Sequence, residues 1–472
     1  MVLHTHMPYV EGFGTWPFGE EWLWEAIATS YLPLLDVLAT PAGAAVTLSL
    51  TPVLCDQLES PEAMRRCVRF LDEIRPESHR RDADELRQAG HHELAAELER
   101  SAAQYAAASR RLSELGAGGL LAALGAHAAW TSSATHAVLP LVASDTGLSV
   151  QVQTGIASHR RRFGAWQGGF WLPECAHAPW LDPLLEDLGV RATCVELTSV
   201  FGCADPRHLQ PLSVTDGPVL WPIDRATIDL VWGGRGYPAA GAYRDYHRHT
   251  THRHHVWGND GSAYDHAAAL ELTRADARDF VSRVRRRVAG GGVCVCALDT
   301  ELLGHWWYEG VHWLQAVLEE AGRQGLALTT LDDASERHAP VPAPARAETS
   351  VTSWGEGRDL RTWSGPQVAD LAWQARTAEL ALLARPRPPS DRALRELLAL
   401  QASDWAFLET RGLAGDYPRE RADGHFRSLQ AALADDGGGH PAVLGLAGDP
   451  AVGRPAADPA VRGLAPDLTG WQ

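Results

Sequence analysis

The pattern of apolar and polar positions contains two short uncharged runs, each ending on an acid. Residues 170–172 read as a buried strand, and Pro173, which has no N–H to give a ladder, ends it directly before Glu174. Residues 178–188 then carry Trp180, Leu181, Leu184, Leu185 and Leu188 at helical spacing, with Gly189 as a stop. The second run, 293–298, follows a glycine run at 290–292 and leads into Asp299; its lack of charge suits a strand buried on both faces of a parallel sheet. Glu174 and Asp299 thus take equivalent positions at the carboxyl edges of two strands, where α/β folds collect ligands and catalysis.

The same alternation runs through the chain. A very short strand opens it, with His4 and His6 two residues apart and so on one face. An amphipathic helix over 20–38 places Trp22, Ile27, Tyr31, Leu34 and Leu35 on its apolar side, and 44–50 is the next strand. Residues 61–124, rich in Arg, Glu and Ala, read as a helical insertion, while 135–141 and 192–197 are further short strands. Strands alternating with helices imply parallel pairing with helical crossovers, hence a complete or incomplete barrel. Glycines crowd the irregular stretch 200–265, as expected of long loops over a site. Residues 339–347, Pro- and Ala-rich, read as a linker, and 367–384, 390–402 and 420–433 are helical by period. The organisation expected is a catalytic barrel over 1–338, the linker, a helical domain over 348–435 and a flexible tail over 436–472, whose Leu464, Leu468 and Trp471 could dock back.

Composition narrows the function. Lys+Arg 42 against Asp+Glu 59 leaves a net charge of −17, which argues against nucleic acid or an anionic membrane and suits a neutral polyol. Tryptophan, with 18 residues against 9 Phe and 9 Tyr, is in unusual excess, and a tryptophan face is a favoured platform for a sugar ring. The cluster Trp306, Trp307 and Tyr308 lies just after Asp299, so stacking surface and carboxylates come together. Two carboxylates flanking a glycosidic bond act as nucleophile and general acid/base when their surroundings separate their pKa values. The seven cysteines are odd in number and mostly in apolar segments, with no signal peptide ahead of them, so a reduced cytoplasm is expected. No apolar run is long enough to span a membrane, and no four-ligand zinc pattern or other cofactor motif is present. His4-x-His6 is also how several metal hydrolases begin, so a metal-dependent hydrolase or deacetylase using these histidines is the alternative of another class. The five histidines 247, 249, 252, 254 and 255 alternate with Arg and Thr, as on a polar loop.

The motifs at 3–9 (Leu-His-Thr-His-Met-Pro-Tyr), 171–176 (Trp-Leu-Pro-Glu-Cys-Ala) and 299–307 (Asp-Thr-Glu-Leu-Leu-Gly-His-Trp-Trp) resemble glycoside hydrolase family 57, in particular its 1,4-α-glucan branching enzymes. Thr135 to Leu141, Gly236-Tyr237-Pro238, Ser353 to Gly357 and Leu400 to Trp405 support the resemblance in the family's order. It implies a (β/α)7-type incomplete TIM-like barrel with a C-terminal α-helical domain, and a retaining transglycosylation that cleaves an α-1,4 bond and forms an α-1,6 branch. Glu174 would be the nucleophile and Asp299 the acid/base. The substrate-binding set implied is His4, His6, Trp22, His136, Arg248, Trp257, His305, Trp306, Trp354, Trp363 and Asp404, with no metal and no cofactor. The partner would be an α-1,4-glucan and the protein a monomer or small homo-oligomer. A 4-α-glucanotransferase or α-amylase of the same family would use the same acids. The family has several more residues ahead of its first motif, so the first strand is expected to be short. Three departures stand out: His177 where Tyr is usual, Thr300 where Ala is usual, and a shorter loop over 200–265. A shortened lid would let hydrolysis compete better with transfer.

Overall fold

The computed structural model describes residues 1–15, 18–386 and 388–435, and within these nine strands form one sheet. They are β1 Val2–Thr5, β2 Thr47–Leu50, β3 Ala128–Ser132, β4 Gly169–Trp171, β5 Ala192–Val195, β6 Leu212–Ser213, β7 Val219–Pro222, β8 Ala297–Asp299 and β9 Val341–Pro342. Their order is β8-β1-β2-β3-β4-β5-β7-β6-β9. From β8 to β7 every pair is parallel, and only β6 runs against its neighbour β7. The sheet curls until Asp224, just after β7, donates its N–H to the Val295 carbonyl ahead of β8 at 2.8 Å. Backbone bonds across the seam are isolated, with no ladder there among the described residues, so the barrel is an incomplete one.

Period-two alternation sorts the strand residues between two cores. Trp171, Cys194 and Trp221 join Leu3, Leu48, Trp130 and Leu298 in one cluster. Their sequence neighbours Phe170, Val195 and Leu220 join Leu148, Val152 and Ile156 of the helix Asp145–Phe163 in another. Trp130, Trp171 and Trp221 are fully buried, and two of them keep a hydrogen bond: Trp130 Nε1 donates to Asp332 at 3.0 Å and Trp221 Nε1 to Ser335 at 3.2 Å. Both partners lie on the helix Leu331–Arg337. Much of the tryptophan excess is therefore core.

Four segments differ from the sequence expectation. Residues 135–141 are not a strand; β3 lies earlier, and this apolar run is buried against the C-terminal helices, with Ala137 bridging Ala402 and Thr135 Oγ1 donating to the Leu398 carbonyl. The helix over 20–38 contains a π turn, Ile27–Tyr31, because the apolar positions are compatible with an extra residue there. The run 293–298 enters the sheet only at Ala297; before that it spans the seam, Val293 donating to the Leu209 carbonyl at 2.9 Å. Within 339–347, expected as linker, β9 pairs Val341 with Leu212. Beyond it the helices Ala369–Leu383, Asp391–Leu400, Ser403–Arg411 and Tyr417–Leu433 share a core that takes in Val138 and Ala176 of the barrel. The expected tail, 436–472, lies outside the described residues.

One contact sets how closely the helix Asp145–Phe163 lies on β3. A Cβ on Gly155 would fall on the Ser132 carbonyl oxygen, and Thr131 Oγ1 donates to the Gly155 carbonyl at 3.1 Å. Gly to Ala in a helix ordinarily stabilises by about 1 kcal/mol. Gly155→Ala is expected to destabilise instead, by about 1 to 3 kcal/mol, because the helix must back away from the strand. Thermal melting of the variant beside the wild type checks this; an unchanged or raised midpoint would contradict the close approach.

Candidate active site

The carboxyl ends of β1, β4 and β8 converge on one set of side chains. After β4 the chain turns through two non-glycine residues with positive φ, Glu174 at 62° and Cys175 at 47°, a conformation costing on the order of 1 to 3 kcal/mol each. What holds it is Trp354: its N–H donates to the Glu174 carbonyl at 2.9 Å and its Nε1 to Glu174 Oε2 at 2.7 Å. The Trp354 ring in turn stands edge-on to Trp171, 5.3 Å between centroids. His136, also at positive φ (60°), places Nδ1 3.7 Å from Glu174 Oε1. Ser403 ties it down, sharing a 2.8 Å hydrogen bond with Nδ1 while its own N–H donates to the His136 carbonyl at 3.2 Å.

Four rings form a stack beside the acids. Trp171 lies 4.7 Å from His4, His4 lies 4.8 Å from His136, and His136 lies 4.1 Å from His6, with interplanar angles of 11° to 19°. His6 sits at the end, its Nε2 donating to both Asp404 oxygens at 3.0 and 3.1 Å and its Nδ1 3.1 Å from Thr51 Oγ1. Burial disfavours the charged form of His4 and His136 and holds both well below the ordinary histidine range, the positive charge of His6 adding to it. Burial acts the same way on His6, but the charge and hydrogen bond of Asp404 overrule it and raise the ring above its usual value. The stack therefore carries its positive charge at one end.

The two acids differ in surroundings. Burial pushes Glu174 up to about 7, opposed by the hydrogen bonds it accepts from Trp354 and Ser403. Asp299, paired in register with His4, is half-buried and accepts no side-chain hydrogen bond among the described residues. Burial, then the charges of Glu174, Glu301 and Asp404, drive it well above the carboxylate range. Such a pair separates into a group that ionises and one that keeps its proton.

Just past the Asp299 turn, from Gly304 and His305 onward, opens a cleft holding about 1150 Å³ between its walls, part of it open to solvent. Trp22, Tyr246, His305 and Trp306 line it, together with Arg75 and Tyr105 of the helical insertion. Trp306 is 43 % exposed, enough to offer a face, and Tyr246 leans on it at 4.8 Å. A second hollow of about 550 Å³, part of it also open to solvent, lies between the C-terminal helices and Val138, Leu141 and Val142 and is lined mainly by apolar side chains; neither hollow has Glu174 or Asp299 in its lining.

The structure thus brings together Glu174, Asp299, His4, His6, His136, Trp354 and Asp404, and sets Trp22, His305 and Trp306 along the adjoining cleft. Three expected binding residues lie elsewhere. Arg248 is exposed, with its guanidinium 4.1 Å from the Trp257 ring centre and a 3.4 Å bond to the Gly261 carbonyl, so this pair is occupied with itself; Arg75, Arg244 and Arg253 face the cleft instead. Trp363 is 2 % exposed and packs beneath Gly355, supporting the turn that carries Trp354. His177 turns to Asp182 at 2.7 Å and Thr300 shares a 2.7 Å bond with Thr5, so both departures serve the turns. Of the loop histidines, His252 binds Asp82 and His254 lies 3.1 Å from Ser78; among the described residues no three His, Cys, Asp or Glu side chains are grouped to hold a metal. Sequence reasoning missed Trp171, Ser403 and Glu301, although each lies inside or beside a motif it used.

Known proteins match this chain over nearly all of it. The model of glycosyl hydrolase family 57 matches residues 128–344, and that of the 1,4-alpha-glucan branching enzyme C-terminal region matches 381–440. A probable 1,4-alpha-glucan branching enzyme of Mycobacterium tuberculosis is 32 % identical over 492 aligned residues, 92 % of each chain. The 1,4-alpha-glucan branching enzyme of Thermococcus kodakarensis is 31 % identical, covering 91 % of this chain and 72 % of its own. Among solved structures, the family 57-type branching enzyme of Pyrococcus horikoshii superposes with a TM-score of 0.83 at 27 % identity, covering 100 % of this chain and 96 % of that one. With an incomplete parallel barrel, an acid at the end of β4 and of β8, and relatives at this identity along nearly the full length of both chains, the chain belongs to glycoside hydrolase family 57.

Proposed function

We propose that the protein is a 1,4-α-glucan branching enzyme working by retaining double displacement, and that Glu174 is its nucleophile and Asp299 its acid/base. The observation that carries the assignment of roles is the difference between the two carboxyls: Glu174 accepts hydrogen bonds from Trp354 and Ser403, whereas Asp299 faces three other carboxylates without a side-chain donor. Donors favour an anion and neighbouring anions favour a retained proton. In the first step a Glu174 oxygen attacks the anomeric carbon of an α-1,4-linked glucose while Asp299 gives its proton to the departing 4-oxygen. A covalent glycosyl-enzyme results. Asp299, now ionised, takes the proton from the 6-hydroxyl of an acceptor glucose as that oxygen attacks the same carbon, releasing Glu174 and leaving an α-1,6 branch. Water in the acceptor's place gives hydrolysis.

The aromatic cleft beyond Asp299 supports a polymeric substrate, since Trp306, Tyr246 and Trp22 offer apolar faces to successive sugar rings. A glycogen-like α-glucan is the product we infer. A cytoplasmic location is our reading too, supported by seven cysteines all in the thiol form.

Incubation with amylose, followed by proton NMR, tests the activity. Growth of α-1,6 signals with few new reducing ends is expected, with Glu174→Gln and Asp299→Asn at least about a thousandfold slower. Reducing ends without branches would make the protein a hydrolase.

The pH profile tests the roles. Glu174 must be ionised to attack, so kcat/KM is expected to fall about tenfold per unit once the pH drops below about 7. Trp354→Phe removes a donor to the carboxylate, worth about 1.5 to 3 kcal/mol, which raises the Glu174 pKa and moves this acid limb up by about one to two units. An acid limb that stays in place in that variant would separate Trp354 from the ionisation of Glu174.

A further inference from the structure

The turn after β8 is fastened to the helix over 20–38 at the one stretch where that helix leaves α geometry. Ile27–Tyr31 is a π turn, a feature that re-aims side chains and recurs at functional sites. Each of its last three residues grips the turn. The Thr29 carbonyl lies directly against Gly304, which has φ of 98° and no room for a Cβ. Ser30 Oγ donates to the Thr300 carbonyl at 3.0 Å, and the Tyr31 hydroxyl donates to Glu301 Oε1 at 2.6 Å. The same Glu301 oxygen accepts the His6 N–H at 3.2 Å, so Glu301 joins the π turn, β1 and the Asp299 turn.

Glu301 is 7 % exposed and two residues from Asp299. Its two donors would be satisfied equally by an uncharged amide, and burying a carboxylate in place of an amide is costly unless the charge has a use. We propose that Glu301 is a positioning residue for Asp299: through Tyr31 and His6 it fixes the Asp299 turn, and its negative charge keeps the proton on Asp299 until the leaving oxygen needs it. The proposal rests on Asp299 being the acid/base.

The charges around the pair fix the sign. Asp299 faces Glu174 from the turn after β4, Asp404 from the helix Ser403–Arg411, and Glu301 from its own turn. Glu301 faces His6 and Tyr31 besides Asp299. Burial pushes Glu301 up to about 7, against the hydrogen bonds from Tyr31 and the His6 backbone and the charge of His6. Above that pH Glu301 is ionised. The alkaline side of the rate profile falls as Asp299, held well above the carboxylate range, loses its proton. A negative neighbour raises the Asp299 pKa, so its removal lets the proton go at lower pH.

Glu301→Gln keeps the acceptor for Tyr31 and His6 and removes only the charge. In the pH dependence of kcat/KM for branching of amylose, its alkaline limb is expected to move down by on the order of one unit, while the acid limb stays. Tyr31→Phe, which keeps Glu301 but removes a donor that favours its ionised form, is expected to move the limb the same way by less. Thermal melts of both variants, expected to stay close to the wild type, show that the fold is intact. A Glu301→Gln profile that keeps both limbs in place and only scales down would overturn the positioning role, and so would a Tyr31→Phe limb unmoved at wild-type melting temperature. Asp299→Asn is the control: inactive, it leaves the acid/base reading standing whatever Glu301 does; active, it removes that reading and this proposal with it.

Discussion

A carboxylate drawn largely out of water stays an anion only where donors reach it, and the Glu174 side chain is 12 % exposed. Its donors come from outside the barrel. Trp354 follows β9, and Ser403 opens the helix Ser403–Arg411. The same two residues also hold the backbone: Trp354 binds the Glu174 carbonyl and Ser403 the His136 carbonyl, so the left-handed turns at 136 and 174 persist because a second layer of structure is bonded to them. The C-terminal helices therefore brace the candidate site as well as cover apolar surface. This explains why 135–141, apolar enough for a strand, is given over to contacts with Leu398, Ala402 and Ser403.

The parts of this arrangement legible in the sequence were those governed by local pattern. An uncharged run closed by Pro173 announces a strand edge, and the run before Asp299 announces another, so the two acids could be paired without coordinates. Which side a residue faces after a long loop obeys no such period. Arg248 and Trp257, nine residues apart on a glycine-rich loop, have the composition of a sugar site yet stack on each other. Trp363 has the same composition as Trp354 but sits one layer deeper, under Gly355. The π turn was hidden for a different reason: Ile27, Tyr31, Leu34 and Leu35 fit a helical stripe with or without an extra residue. Ser403 could be placed only once the C-terminal helices were seen to dock on His136, a contact spanning more than half the chain.

The histidine-rich loop over 247–255 shows how the cleft keeps its shape. Asp82, almost fully buried on the helix Arg75–Gln88, takes hydrogen bonds from the Thr250 hydroxyl, the His252 N–H and the His252 ring. Arg75, two turns earlier, binds Glu25 and reaches His254 at 3.3 Å. The helical insertion thus pins the loop from behind, and the loop's Tyr246 and His255, stacked at 5.3 Å, present a fixed wall to the cleft.

Charge at the site follows the same economy of placement. Grouped with Asp299 are the carboxylates of Glu174, Glu301 and Asp404, against a single charged ring, His6. His4 and His136, within the stack, are kept neutral by burial. With Asp299 protonated the group still carries more negative than positive charge in a poorly solvated space, and the oxocarbenium-like transition state is where positive charge develops. The imidazolium stands at one end of the stack, bound to Asp404. An arrangement that cancelled the carboxylates locally would bind sugar as well but would stabilise the transition state less, because only the uncompensated charge acts on the carbon as the bond breaks.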